Sequence, residues 1–219
     1  MDYMDAFSTH NLAFLLDGFL LTLKVAFISI LLSFVIGSII GILRYAKIPV
    51  LSKVLGIYVE TIRNLPLLLI IFFTYFALPE IGFKLTITFA VIAALTVFES
   101  AMLSEIVRSG LNSIEKGQIE AARSSGLTYT QTMRHIILPQ ALKRMVPPIV
   151  SQFISLLKDT SLAVVVALPE LMHNAQIVYG KNVNYIIPTL LMVAIMYFTV
   201  NFTLSLVARR LEKRDAFAS

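Results

Sequence analysis

The sequence lacks cysteine altogether, and only 14% of its 219 residues are charged. Without cysteine the chain has no disulfide framework, no thiolate nucleophile and no cysteine-bearing metal site, although this absence identifies no cellular compartment. Histidine is also scarce, and its three copies are scattered with no paired ligand spacing: His10, His135 and His173. We therefore predict no metal site on this chain.

Catalytic motifs are missing as well. A phosphate-binding P-loop needs two glycines at a fixed spacing before a lysine and a hydroxyl residue. The best local match, Gly180-Lys181, has Ala175 in place of the first glycine and Asn182 after the lysine. No serine stands in a nucleophile-elbow sequence. We predict that this chain is not an enzyme by itself and that any ATP is hydrolysed on another chain.

Hydrophobic residues are abundant: they make up 58% of the sequence, and the mean hydropathy is +0.83. A soluble domain of this length cannot bury so much apolar surface in one core, which indicates a membrane protein. Segments of about 20 apolar residues are long enough to cross a bilayer as helices. No alternating strands typical of a barrel are present. We predict an all-α membrane protein with about five transmembrane helices, at residues 18–43, 55–77, 85–103, 146–168 and 186–207.

The basic residues lie mostly on one side of these predicted spans. The opposite side has only Lys84 and Lys181, whereas thirteen basic residues share the other side: Arg44, Lys47, Lys53, Arg108, Lys116, Arg123, Arg134, Lys143, Arg144, Arg209, Arg210, Lys213 and Arg214. The positive-inside rule then places the N-terminus outside and the C-terminus in the cytoplasm. We predict an extracytoplasmic segment 1–17, a membrane domain 18–208 and a basic cytoplasmic tail 209–219. The net charge of +5 is explained by orientation, so no nucleic-acid partner is predicted.

A long cytoplasmic loop, residues 109–145, carries helical signals although it is too polar to enter lipid. A short helix is predicted to end at Gly126, and Thr128 with Gln131 has the spacing of a capping box that opens a second helix. We expect this second helix to end at Leu138-Pro139. Such a hairpin suits insertion into a groove on a partner. A solvated surface hairpin explains the same pattern, and spacing alone leaves both interpretations open.

Several motifs in this loop and around it resemble those of one family of membrane proteins. Glu120-Ala121-Ala122, Gly126 and Ile137-Leu138-Pro139 resemble the EAA loop of ABC importer permeases, in which a short coupling helix docks on the cytoplasmic ATPase. Further blocks resemble, in order, those of the polar amino acid permeases: Arg63-Asn64-Leu65-Pro66-Leu67-Leu68, Glu105-Ile106-Val107-Arg108, Gly117-Gln118-Ile119-Glu120-Ala121-Ala122-Arg123, Leu138-Pro139-Gln140-Ala141 and Leu157-Lys158-Asp159-Thr160-Ser161-Leu162. The resemblance covers roughly residues 18–210.

This resemblance implies a type I ABC importer transmembrane domain that forms half of a translocation pathway in a bacterial inner or plasma membrane. It implies these partners: two cytoplasmic ABC ATPases, a second permease subunit that is identical or homologous, an extracytoplasmic substrate-binding protein and an amino acid substrate. ATP and magnesium would bind the ATPase, with no cofactor on this chain. The residues that would couple to the ATPase are Gly117, Gln118, Glu120, Ala121, Ala122 and Gly126.

Ionisable residues inside the predicted spans are the candidates for substrate contact. At 1.5 Å per residue, Arg63 and Asp159 lie about 12 and 18 Å from the cytoplasmic ends of their predicted spans, and Glu99 lies about 21 Å from the outer end of its span. Charges at such depths must face a cavity or one another. A zwitterionic amino acid needs a cation and an acceptor. The candidate pathway residues are Arg63, Asn64, Glu99, Lys158, Asp159, Thr160 and Ser161. Structural pairs, Arg63 with Asp159 or Glu99 with Lys158, explain the same charges, and the question stays open.

Two other functions remain as alternatives. An ion-coupled secondary amino acid transporter would use Asp159 and Glu99 as coupling sites, but it predicts internal repeats, which the sequence does not display. A membrane-anchored enzyme or scaffold would need a nucleophile, a cofactor motif or metal ligands. Many polar amino acid permeases have glycine and threonine where this chain has Asn64 and Leu65, so the particular amino acid is not predicted.

Overall fold

The structure is a computed structural model that describes the backbone of residues 3–216 and the side chains of residues 5–210. Within residues 3–216 all regular elements are helical. The α-helices are α1 Tyr3–Ala6, α2 Thr9–Tyr45, α3 Leu51–Arg63, α4 Leu67–Phe72, α5 Leu78–Glu80, α6 Ile87–Asn112, α7 Lys116–Ser124, α8 Tyr129–Thr132, α9 Leu138–Asp159, α10 Leu171–Gly180 and α11 Ile186–Ala216. Two π-helical turns, Phe73–Ala77 and Met133–Ile137, and two 3₁₀ segments, Thr160–Val166 and Val183–Tyr185, join them.

Helices long and apolar enough to cross a membrane confirm the predicted fold class. Four are continuous, at Thr9–Tyr45, Ile87–Asn112, Tyr129–Val166 and Val183–Arg210. A fifth span is possible only as a bent pair, α3 with Leu67–Glu80. The orientation of the termini and the limits 1–17, 18–208 and 209–219 stay predictions, and positions 1, 2 and 217–219 lie outside the described residues.

The predicted second span, 55–77, is not one straight helix. Its two halves meet at an angle of 103°, and the break falls where α3 ends at Arg63 and α4 begins at Leu67. Pro66 has no backbone N–H and pushes the residue before it out of the helical region. Asn64 closes α3, because its side-chain Nδ2 donates to the Glu60 carbonyl at 2.7 Å. The predicted second span is therefore interrupted at this proline.

Two glycines four residues apart, Gly37 and Gly41, let α2 pack closely on α6. A Cβ at Gly37 would lie 2.8 Å from the Ser100 carbonyl oxygen, and one at Gly41 would lie 2.7 Å from that of Ser104. These distances are shorter than van der Waals contact, so only glycine lets the two backbones approach this closely. The glycines thus fix α6, which carries Glu99, against the longest helix.

The second helix of the cytoplasmic hairpin continues into the membrane instead of ending at Leu138-Pro139. After α8, the π-helical turn Met133–Ile137 leads directly into α9, and one continuous candidate span runs from Tyr129 to Val166. Pro139 stands in the first turn of α9, directly after the π-helical turn, and it does not end the helix. The hairpin and the fourth span are therefore one helical rod.

Candidate functional site

Arg63 is the last residue of α3, next to the break before α4. Its Nη1 atom is 3.9 Å from Glu105 Oε2, and the same oxygen accepts a hydrogen bond from Arg44 Nη1 at 2.9 Å. Arg44 is in the last turn of α2. The bend after α3 therefore places Arg63 beside the end of α2, and its depth of about 12 Å, which assumes a straight span, stays a prediction.

Glu105 is the centre of this cytoplasmic ion cluster. It pairs with Arg108 on its own helix and with Arg44 and Arg63 from α2 and α3. Glu60 adds a second carboxylate 3.9 Å from Arg63. A cavity of about 570 Å³ is lined by this cluster together with Lys53. The cluster therefore connects α2, α3 and α6 by ion pairs.

Glu99 is the most deeply buried of the ionisable residues predicted for the pathway, with 1% of its surface exposed. Its Oε2 accepts a hydrogen bond from Gln152 Nε2 of α9 at 3.2 Å. Its Oε1 is buried and has no hydrogen-bond partner among the described residues. A buried carboxylate oxygen without a partner is costly, so it marks a place where a further donor would be stabilising.

The end of α9 provides the other predicted pathway residues. Thr160 Oγ1 donates to the Leu157 carbonyl and Ser161 Oγ to the Lys158 carbonyl, each at 2.7 Å. Both hydroxyl oxygens therefore keep lone pairs that can accept a hydrogen bond. Asp159 comes directly before Thr160 in sequence, at the last position of α9, and is near enough to Glu99 for the two carboxyl groups to interact.

The two structural pairs considered from the sequence are not formed within residues 5–210. Arg63 contacts Glu60 and Glu105 instead of Asp159. Glu99 contacts Gln152, and the exposed Lys158 makes no ion pair with it. The structure thus brings together Glu99, Gln152 and the end of α9, and it separates Arg63 and Asn64 from them at the α3–α4 break.

Glu170 is a buried carboxylate that the sequence reasoning missed. It lies in the turn between the span ending at Val166 and α10, with 0% of its surface exposed. Its two oxygens accept from the backbone N–H groups of Met172 and His173 at 2.9 and 2.8 Å, and Tyr197 Oη is 3.3 Å away. Burial raises the pKa of Glu170 to about 6. Helix N-capping by an acidic residue before an apolar run was the available signal.

The turn between α7 and α8 is fixed by local hydrogen bonds at the end of α7 and at the start of α8, both of which the sequence predicted. Gly126 adopts φ +88°, its N–H bonds to the Arg123 carbonyl, and the Leu127 N–H bonds to the Ala122 carbonyl, which is a Schellman motif. Thr128 and Gln131 form the predicted capping box at the start of α8, with mutual bonds of 2.8 and 3.3 Å. The hairpin is therefore defined by its own sequence.

One side of α7 rests on the protein and the other faces outward. Ala122 is 8% exposed, whereas five predicted coupling residues are exposed: Gly117, Gln118, Glu120, Ala121 and Gly126. Ile119 packs against the apolar cluster formed by the end of α6 and the start of α9. Gln118 also receives a hydrogen bond from Gln140 of α9 at 2.7 Å. An exposed, polar and small-residue helix surface is suited to a protein partner.

Bulky apolar side chains project outward from the spans. Phe27, Phe89 and Phe198 are each 63–66% exposed. The spans combine an outward apolar surface with a buried carboxylate, and a short exposed helix connects two of them. This combination is typical of the transmembrane subunit of a transporter. The comparisons with known proteins make this class more specific.

The sequence profile of the family described as "Binding-protein-dependent transport system inner membrane component" matches residues 33–215. The chain belongs to this family. It is 71% identical over 217 residues to the "Probable glutamine ABC transporter permease protein GlnP" of Bacillus subtilis (strain 168), covering 98% of this chain and all of the relative. The "Probable glutamine ABC transporter permease protein GlnM" of the same strain is 42% identical, covering 93% of this chain and 94% of the relative.

A solved structure gives the same result at the level of the fold. The crystal structure described as "an amino acid ABC transporter with histidines" superimposes with a TM-score of 0.89 at 30% identity, covering 98% of this chain and 99% of the other. This chain is thus the multi-pass permease subunit of an ABC importer of the bacterial inner membrane, and ATP is hydrolysed on a separate subunit. The secondary-transporter alternative finds no support in these relatives.

Proposed function

We propose that this chain moves a polar amino acid into the cytoplasm and that glutamine is the first substrate to test. The observation that carries the proposal is the buried carboxylate of Glu99. One of its oxygens accepts a hydrogen bond from Gln152, and the other has no hydrogen-bond partner within residues 5–210. The names of the relatives at 71% and 42% identity, both probable glutamine permeases, support this choice.

The chemistry of the site fits a zwitterion with a neutral side chain. Asp159 and the unpaired oxygen of Glu99 are acceptors for an ammonium group. The hydroxyl oxygens of Thr160 and Ser161 are further acceptors beside them. The Gln152 amide can both donate and accept, which matches the carboxamide of glutamine.

Arg63 and Asn64 have a separate part in the proposal. Because Arg63 shares Glu105 with Arg44, its guanidinium lies at the cytoplasmic end of the helices. Its contacts to Glu60 and Glu105 are both 3.9 Å, longer than a charge-assisted hydrogen bond, so its donors are available to another carboxylate. We assign Arg63 to the release side of the pathway, where it attracts the substrate carboxylate.

The assembly proposed around this chain follows from its family and from the exposed face of α7. Two cytoplasmic ABC ATPases receive the coupling residues, a second permease subunit completes the pathway, and an extracytoplasmic binding protein delivers the substrate. ATP and magnesium bind the ATPases, and this chain holds no cofactor. With the pathway between two subunits, some of the outward apolar helix faces contact lipid and others contact the second permease.

The experiment compares variants in proteoliposomes that contain the permease with its ATPase and binding protein. Asp159→Asn and Arg63→Gln should each lower ATP-driven uptake of labelled glutamine while the ATPase still co-purifies with the permease. Glu80→Gln, at an exposed carboxylate outside the site, is the matched control. Unchanged uptake in both site variants would remove the site assignment.

A further inference from the structure

Gln118 of α7 and Gln140 of α9 are joined across 22 residues of sequence by a hydrogen bond of 2.7 Å, from Gln140 Nε2 to Gln118 Oε1. We call this contact the clasp. The same Gln140 amide donates to the Ile136 carbonyl at 2.9 Å, inside the π-helical turn that precedes α9. Gln140 is therefore fixed to its own helix while it holds α7.

The clasp complements an apolar contact on the same side of α7. Ala122 is buried, and Ile119 packs against the cluster that contains Ile137 and Ala141. Apolar packing is non-directional and allows a short helix to slide or rotate, whereas a hydrogen bond between two side chains fixes one register. The clasp is thus the directional part of the attachment of α7 to α9.

The helix held by the clasp also reaches the buried carboxylate. α9 is continuous from Leu138 to Asp159. At 1.5 Å per residue, Gln152 lies about 18 Å from Gln140 along the helix axis, and Asp159 about 28 Å. Gln152 bonds to Glu99. One helix therefore connects the exposed face of α7 with the proposed substrate site.

We propose that Gln140 is a positioning residue that locks α7 to α9, so that the two helices move as one rigid body when the ATPase engages α7. A displacement of α7 is then transmitted to the Gln152–Glu99 contact, because the contact between α7 and α9 does not change during the motion. This inference rests on the proposed function, because it gives a route for the coupling that the proposed assembly requires.

Glutamate substitutions test the hydrogen bond of the clasp while leaving the packing of the side chains nearly unchanged. Gln118→Glu keeps the acceptor for the Gln140 amide, and Gln140→Glu presents an acceptor to the Gln118 amide after that amide flips. Each single variant therefore retains one donor, whereas the double variant Gln118→Glu with Gln140→Glu has two carboxylates and no donor. All side chains keep nearly the same shape and volume.

The measured quantity is glutamine transported per ATP hydrolysed, in proteoliposomes with the ATPase and the binding protein. We expect Gln140→Glu to stay near the parent and the double variant to fall about 2- to 10-fold below Gln118→Glu alone, the factor equivalent to one net hydrogen bond. Gln176→Glu, an exposed glutamine on α10, is the matched control. A double variant with the parental ratio and normal recovery of the complex would overturn the proposal.

The natural absence of cysteine permits a second, direct test. Gln118→Cys with Gln140→Cys creates the only two thiols in the chain, and a short bis-methanethiosulfonate reagent joins them. If α7 and α9 move as one body, cross-linking should restore the transport ratio to the parental value. Loss of uptake on cross-linking, with the ATPase still bound, would show that the helices must separate.

The two proposals fail in different ways. A parental complex that takes up no amino acid with ATP contradicts the proposed function. A parental complex that transports, combined with an unaffected double variant or an inactivating cross-link, contradicts only the clasp.

Discussion

Glu99 illustrates how one residue combines a cost in stability with a role in function. Burying a carboxylate removes it from water, and the penalty is reduced only by the partners that the protein supplies. Here Gln152 supplies one hydrogen bond, and the second oxygen remains unpaired within the described part of the chain. A site of this kind gains more binding free energy from a cationic substrate group than a site whose carboxylate is fully paired.

We expect Glu99→Ala to destabilise the folded protein by about 1–3 kcal/mol, because it leaves the Gln152 amide without its acceptor. Glu99→Gln should cost less, since a carboxamide oxygen can still accept that bond. Thermal unfolding of the purified complex in detergent measures both changes. Glu80→Ala, at an exposed position, is the control, and equal midpoints for Glu99→Ala and the parent would contradict the expected dependence on this contact.

Glu170 predicts a dependence of stability on pH at a second single residue. Burial raises the pKa of Glu170 from an ordinary 4.5 to about 6. The folded state therefore holds this proton more tightly than the unfolded state does, so the stabilisation is complete below about pH 4.5 and is lost as pH rises through 6. The groups that face the carboxyl are the Thr22 and Tyr197 hydroxyls and the N–H groups of Met172 and His173.

In Glu170→Gln this pH dependence should disappear. A shift of this size corresponds to about 2 kcal/mol at 1.36 kcal/mol per pKa unit. Unfolding of parent and variant in detergent between pH 4.5 and 7 measures the difference. If the two stability profiles run parallel over this range, the assignment of the titration to Glu170 is incorrect.

At the scale of elements, the contact between α2 and α6 depends on the absence of side chains. A Cβ at Gly37 would lie 2.8 Å from both the Ser100 carbonyl oxygen and Leu103 Cβ. Because one obstacle is backbone, a larger residue must push the helices apart. Gly56 in α3 has nothing within 4 Å of the corresponding position.

We expect Gly37→Ala to destabilise the protein by about 1–3 kcal/mol through overpacking. Gly56→Ala should stabilise it by about 0.5–1 kcal/mol, since alanine is the better residue inside a helix. Thermal unfolding in detergent compares the pair. A stabilising Gly37→Ala would contradict the close approach of the two helices.

The end of α7 gives a second prediction at this scale. Gly126 has φ +88°, in the left-handed region that costs other residues about 1–2 kcal/mol. Gly126→Ala should therefore loosen the turn after α7 and lower ATPase recovery with the permease. Gly180→Ala, in open space at the end of α10, should leave recovery unchanged. Similar recovery of all three proteins would argue against a defined turn at this position.

Local signals in the sequence were sufficient for some elements and not for others. The end of α7 at Gly126 and the capping box at Thr128 follow from residues close in sequence, and the structure confirms them. Hydropathy also located the second span, but it does not register the 103° bend at Pro66.

The polar partners in the site are set by contacts between distant helices. Gln152 bonds to Glu99 across 53 residues and Gln140 to Gln118 across 22. Neither distance can be read from spacing along one helix. Gln118 and Gln140 nevertheless lie in blocks that resemble the polar amino acid permeases, so the resemblance indicated these two regions without giving the pair.

At the scale of the whole molecule, one helical rod links two functional surfaces. The stretch from Tyr129 to Val166 begins beside the exposed α7 and passes Gln152 and Asp159. A subunit with this arrangement can respond at its substrate site to a partner that acts on its cytoplasmic face. This is the requirement of an ABC importer, in which the permease itself hydrolyses no ATP.

The most direct test of this account is uptake of labelled amino acids by proteoliposomes that contain the permease, its co-purifying ATPase and a binding protein, with and without internal ATP. The account predicts uptake of a polar amino acid, with glutamine first, only when both ATP and the binding protein are present. Uptake that follows an imposed ion gradient without ATP would contradict it.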